Sequence, residues 1–187
     1  MGLPLSKPDC KLGDFGCGDG YVTLSLMLHL NAKECFGVDK NNDWKLPTIE
    51  EAKLEFNTGQ NVPVGDLSEE VRQLLNEERW PTFQQDDVLK PHDLPKNLDL
   101  AYCKRLLTNI REGAYNNSLN EDDRLSRAIN NIVDCIKQRG LFCLVEMDFF
   151  TNELSPSYFP KLKFLRVCQV AERDSNSFIY FHFYDKR

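Results

Sequence analysis

Three glycines at alternate positions, Gly16, Gly18 and Gly20, follow a short apolar run and lead at once into a segment of helical character. Without a Cβ, the backbone there can turn tightly and let a ligand come close. Two carboxylates stand in the same turn, Asp14 and Asp19, and a third, Asp39, closes the next predicted strand. A carboxylate at that place can accept both hydroxyls of a ribose, the arrangement of nucleoside sites on doubly wound sheets. The spacing is G-x-G-x-G rather than the G-x-G-x-x-G of dinucleotide folds, because Tyr21 stands where that pattern needs its last glycine. An anion held at a helix N-terminus wants positive potential, and Asp14 and Asp19 both oppose it. A ligand with a cationic amino group and a sulfonium suits these carboxylates better than a phosphate.

The elements that must position these residues alternate short apolar runs with helical periodicity, the pattern of a mostly parallel sheet covered by helices. Strands are predicted over Lys11–Phe15, Glu34–Asp39, Thr82–Gln85, Leu98–Cys103 and Leu141–Met147. The last is a continuous apolar run, as at the centre of a parallel sheet. A helix is predicted from Tyr21 to about Leu30, closed by Asn31 in the left-handed conformation. Thr48 and Glu51 form a capping box that opens a second helix, with Asn57-Thr58-Gly59 stopping it, and Asp66 and Glu69 repeat the box for a third. In that third helix Leu67, Val71, Leu74 and Leu75 share one face. The clearest helix follows Asn116–Asp123, with Leu125, Ala128, Ile129, Ile132, Val133 and Ile136 on its inner face and Gly140 as its cap. Phe164–Ala171 and Phe178–Tyr184 flank polar turn residues and read as an antiparallel hairpin. With no internal repeat and no linker, residues 1–187 are expected to form one domain.

Composition narrows the partners. The chain has 187 residues, 41% of them hydrophobic and 28% charged, with a formal net charge of −6. That is the profile of a globular protein able to bury a core. A surface for phosphate backbones normally needs a basic excess, so nucleic acid is disfavoured. No apolar run approaches the roughly 20 residues that span a bilayer, and no signal peptide is expected. Seven cysteines without a CxxC pair fit a reducing cytoplasm better than a disulfide framework or a zinc site. His29, His92 and His182 are scattered and form no ligand pair, so no metal is expected.

Asp14-Phe15-Gly16-Cys17-Gly18-Asp19-Gly20 resembles the first motif of the class I S-adenosylmethionine-dependent methyltransferases. The resemblance runs from about residue 9 to the C-terminus. It implies an α/β fold, a doubly wound, mostly parallel seven-stranded sheet with helices on both faces and a C-terminal antiparallel hairpin. It also implies S-adenosylmethionine as cofactor, with Gly16, Cys17, Gly18 and Gly20 passing its methionine portion and Asp14 serving the amino group. Asp39, followed by Lys40, is similar to the family's ribose-binding acid. Phe83-Gln84-Gln85-Asp86-Asp87-Val88 resembles the adenine-side segment, with Asp87 on the adenine amino group, Asp86 its nearest competitor and Val88 beside it. Tyr102, ending the fourth strand, would lie between cofactor and acceptor.

The chain departs from the family in four places. Few residues precede Asp14, so the acceptor side is expected to be open or covered by a partner, either a second copy or another subunit. Little chain separates the fifth strand from the hairpin. Gly13 replaces a bulky residue, which predicts a weak first strand. The fourth strand ends Tyr102-Cys103-Lys104-Arg105 rather than in the Asn/Asp-Pro-Pro-Tyr/Phe signature of many amide and amino methylations. With the acidic balance, this points to methyl transfer onto a small molecule. Transfer from a sulfonium is an in-line displacement in which the protein aligns the reactants, and no catalytic residue can be named from the sequence. A cofactor-binding subunit without activity, or an enzyme completed by a partner, is the alternative.

Overall fold

A computed structural model describes residues 9–58, 68–111, 120–147, 160–171 and 178–186. In chain order these form β1 (Lys11–Phe15), α1 (Tyr21–His29), β2 (Glu34–Asp39), α2 (Ile49–Thr58), α3 (Ser68–Asn76) and β3 (Thr82–Gln85). There follow β4 (Leu98–Lys104), α4 (Leu106–Arg111), α5 (Glu121–Cys135), β5 (Ile136–Met147), β6 (Leu162–Ala171) and β7 (Phe178–Lys186). The strands make one sheet in the order β3-β2-β1-β4-β5-β7-β6. The first five are parallel to their neighbours, while β7 runs antiparallel to both β5 and β6. The strand order reverses at β1, which pairs with β2 on one side and β4 on the other. The chain leaves β1 through its glycine turn at this switch point, where ligands of open α/β sheets bind.

Strand alternation sends successive side chains to opposite faces, and β4 feeds two separate cores. Leu100 and Tyr102 join a cluster containing Leu24 and Met27 of α1 and Leu74 of α3. Ala101 and Cys103 join the other, with Ile110 of α4 and Ile129, Ile132 and Val133 of α5. Helices therefore cover both faces, as the resemblance implied. Ala52, Val71 and Leu75 form a third, small cluster that locks α2 onto α3.

The Thr48 box forms as read: the Thr48 N–H donates to Glu51 Oε2 at 2.8 Å, and the Glu51 N–H returns a bond to Thr48 Oγ1 at 3.3 Å. The box at Asp66 and the turn of the hairpin lie outside the described residues.

Two expectations are corrected, and one element is added. The strand containing Gly13 is fully paired on both sides, because the space a side chain would take is already filled: a Cβ at Gly13 would lie 2.6 Å from Leu98 Cδ1. Gly140 does not cap the long helix. That helix is capped at its start by Asn120, whose side chain accepts from the Asp123 N–H at 2.8 Å, and it ends at Cys135, with Ile136 already extended. Gly140 lies inside β5 instead, where a Cβ would meet Ile136 Cγ2 at 2.5 Å and the Leu98 carbonyl at 2.9 Å. The added element is α4, a short helix that turns off β4 through Arg105 at φ 55° and for which the sequence offers no bounds beyond charges suited to a helix start at Lys104 and Arg105. Among the described residues, no helix is long and apolar enough to cross a membrane.

Candidate functional site

The C-terminal ends of β1, β2 and β3 meet in a crest held by backbone hydrogen bonds. The Gly16 and Cys17 N–H groups both reach the Val38 carbonyl, at 2.8 and 3.3 Å, and the Asp86 N–H donates to the Asp39 carbonyl at 2.9 Å. The Asp39 carboxylate spans two loops: Oδ2 accepts from the Gly18 N–H and Oδ1 from the Asn41 N–H, each at 3.0 Å. The turn and the acid are thus fixed relative to each other, and Asp39 stays half-exposed with lone pairs left for further donors. Lys40, beside it, is exposed.

The three glycines differ in what demands them. Gly16 and Gly20 sit at φ 81° and 87° under neighbouring side chains, Leu106 at 3.1 Å and the Phe83 ring at 2.7 Å from where a Cβ would be. Gly18, at φ 54°, is exposed and has no atom within 4 Å of that position. Packing accounts for the first two. At Gly18 the missing side chain leaves open space directly above the residue that holds Asp39.

Asp14 is 1% exposed, beneath this turn. Its Oδ2 accepts from Thr23 Oγ1 at 2.7 Å. Burial raises the carboxyl to about 7; the Thr23 bond and Lys104 act against the rise, and Asp39 and Asp19 add to it. Thr23 was missed in the sequence, though it stands four residues before Met27 on the inward face of α1, where a polar residue needs a partner. Cys17 is buried at 5%, and burial, with Asp14 and Asp39 nearby, pushes its thiol up to about 12. It is packing, not a nucleophile.

In the loop after β3, Asp86 and Asp87 separate by role. Asp86 is buried, and its carboxylate takes the N–H groups of Asp87, His92 and Asp93 at 2.8 to 3.1 Å. Burial alone would raise its pKa, but these backbone donors hold it below the ordinary carboxylate value. It is therefore spent on shaping the loop. Asp87 is half-buried and accepts from the Leu89 N–H at 2.8 Å through Oδ1. The Val88 side chain lies in the core and its carbonyl accepts from Asn131 Nδ2 at 2.7 Å.

No family model matches the chain, and no curated protein sequence does. Solved structures do. The N-methyltransferase NodS of Bradyrhizobium japonicum, in complex with S-adenosyl-L-homocysteine, is similar with a TM-score of 0.59 at 14% identity, over 95% of this chain and 79% of that one. A SAM-dependent methyltransferase of Methanosarcina mazei has a TM-score of 0.58 at 16% identity, over 96% and 93%. A TehB-like SAM-dependent methyltransferase of Corynebacterium glutamicum has 0.56 at 16%, over 97% and 83%. The fold is that of the class I S-adenosylmethionine-dependent methyltransferases.

On this methyltransferase fold, Tyr102 sits in register with Asp14 across the β1–β4 pair, on the α1 face of the sheet. It is 9% exposed, and burial, then Asp14, drives its hydroxyl pKa up. The phenol stays neutral and packs the floor beneath the turn. Lys104 and Arg105, at the end of β4, are exposed. The structure thus brings Asp14, the glycine turn, Asp39 and the Asp86–Asp87 loop to one crest, with Val88 and Tyr102 beneath it.

Proposed function

We propose that this crest binds S-adenosylmethionine and that the chain transfers the cofactor's methyl group to a small-molecule acceptor. The observation that carries the reading is the open space over Gly18 beside an Asp39 carboxylate already oriented by the Gly18 N–H. The donor set fits the cofactor. Asp14 is the acid on the amino-group side, Gly16, Cys17, Gly18 and Gly20 let the methionine portion pass, and Asp39 with Lys40 takes the ribose edge. Asp87 accepts from the adenine amino group, and Val88 contributes its backbone N–H, since its side chain and carbonyl are engaged. Tyr102 would close the floor of the site on the acceptor side. When bound, the cofactor supplies an electrophilic methyl group on a sulfonium; the protein's part is alignment and exclusion of water.

The small-molecule acceptor rests on the absence of the Asn/Asp-Pro-Pro-Tyr/Phe signature after Tyr102 and on the acidic net charge of −6. Calorimetric titration with S-adenosylmethionine and S-adenosylhomocysteine, with NADH as control, tests the cofactor. Binding of the first two alone is expected; binding of none removes the reading. In Asp39→Ala, both ribose hydroxyls lose their shared acceptor, so affinity should drop roughly a hundredfold, at about 1.5–3 kcal/mol for hydrogen bonds to a charged group. Unchanged affinity in a folded Asp39→Ala protein would reject the ribose assignment. A bound cofactor with no turnover on any candidate acceptor would leave a cofactor-binding subunit.

A further inference from the structure

Beside the glycine turn, the loop after β2 and the approach to β3 line an open cavity of about 450 Å³. Its walls include Trp44, Trp80 and Phe83, with Glu50 and Glu78 as exposed carboxylates. The cavity borders Thr82 and Phe83 at the start of β3, whereas the candidate cofactor residues cluster past its other end, where Gln85 pairs with Asp39. Its Phe83 and Leu46 also pack against Gly20, so the cavity adjoins the glycine turn from the side without including the carboxylates of the crest.

The aromatic walls are held in place. Trp44 stacks on Phe83 with ring centroids 5.5 Å apart and planes 18° from parallel. The Trp80 indole N–H donates to the Pro47 carbonyl at 2.9 Å. Glu78 holds Lys53 at 3.2 Å, while Glu50 has no hydrogen-bond or ion-pair partner among the described residues. None of the described lining residues is basic. Aromatic faces carry negative charge density and attract cations, and an unpaired carboxylate beside them adds a charge of the same sign. The overall charge of −6 raises the local concentration of cations further. The volume is that of a small-molecule site.

We propose that this cavity binds a small organic cation carrying an alkylated ammonium group. Such a cation is weakly hydrated, so it can leave water for an aromatic wall, and its alkyl groups gain from the same apolar contact. An inorganic cation would lack that second gain, and a neutral ligand the first.

The chain's two tryptophans both line this cavity, so intrinsic fluorescence reads it directly. The test titrates the full chain with choline and with 3,3-dimethyl-1-butanol, its uncharged isostere. Choline should change the emission saturably, and the isostere should bind roughly tenfold more weakly, as a cation–π contact of about 1–2 kcal/mol requires. Glu50 is exposed in the first turn of α2, so Glu50→Gln should fold normally, as circular dichroism can verify. It should weaken choline several-fold and leave the isostere unchanged. Equal binding of choline and isostere, no saturable response to choline, or a Glu50→Gln protein that binds choline as well as the parent would each overturn the proposal.

Discussion

At Asp14 the chain keeps a carboxyl in its core at 1% exposure, with one hydroxyl as partner. Its pKa is about 7 in the folded state against an ordinary value of 3.8. A folded-state pKa raised in this way means that the native protein binds the proton more tightly than the unfolded chain. The contribution to stability is therefore greatest at low pH and declines as pH rises from about 4 to about 7, by up to a few kcal/mol. Asp14→Asn keeps the Thr23 contact without the charge. It should remove that slope, so its gain in melting temperature over the parent should be small near pH 4 and grow steadily up to about pH 7. A melting series from pH 4 to 8 on both proteins decides this; parallel curves would mean that Asp14 is ionised throughout. The glycines allow a second comparison. Gly18→Ala meets open space and a left-handed φ of 54°, at about 1 kcal/mol of stability. Gly20→Ala adds a 2.7 Å clash with the Phe83 ring and should cost more. If the cradle over Gly18 holds the cofactor, Gly18→Ala should lose S-adenosylhomocysteine binding while remaining folded, a separation that calorimetry and urea unfolding measure together.

At the scale of elements, α5 and β5 form one continuous unit that supports the sheet from beneath. The helix buries Leu125, Ala128, Ile129, Ile132 and Val133 along a single stripe and passes into the strand without a loop. Its two ends are secured differently, one by the Asn120 cap and the other by close packing at Gly140. Asn120→Ala should cost about 1 kcal/mol, the usual value of a lost N-cap. Gly140→Ala forces a Cβ against both a side chain and the backbone carbonyl of Leu98, and should cost about 1–3 kcal/mol. Urea midpoints rank the two. A larger loss for Asn120→Ala would place the weak point at the start of the helix and not at the junction.

For the whole molecule, stability should be graded across the sheet. β1 and β4 are flanked by strands on both sides and covered on both faces, whereas β3 and β6 are edges. Phe164 and Leu165 of β6 are among the most exposed large apolar residues, at 52% and 44%. Native-state hydrogen exchange should therefore find the slowest amides in β1 and β4, with β3 and β6 opening at lower free energy. Uniform protection across all seven strands would instead mean that the sheet opens only as a unit. The proposed cofactor crest straddles both regimes, since Asp14 and Gly16 belong to β1 and its turn while Asp87 follows the edge strand β3.

Much of this could be read from residues alone. β1, β2 and β3 begin and end where alternation and glycine placed them, because short apolar runs bounded by turn residues carry their own limits. Asp14, the glycine turn, Asp39 and Asp87 stand in sequence at strand ends, so any doubly wound sheet brings them to one crest. The features left open depended on neighbours distant in the chain. Gly140 looks like a helix cap locally, and only the Leu98 carbonyl reveals why no side chain fits there. Gly13 looks like a weak point until Leu98 and Phe15 fill its place. Asp86 and Asp87 are indistinguishable as letters; three backbone donors folded around the first decide which carboxylate is left to a ligand. The aromatic cavity had no signature either, since Trp44, Trp80 and Phe83 meet only when β3 docks on β2. Local propensity and pattern determine elements, whereas burial, shared hydrogen bonds and cavities exist only once the chain has closed on itself.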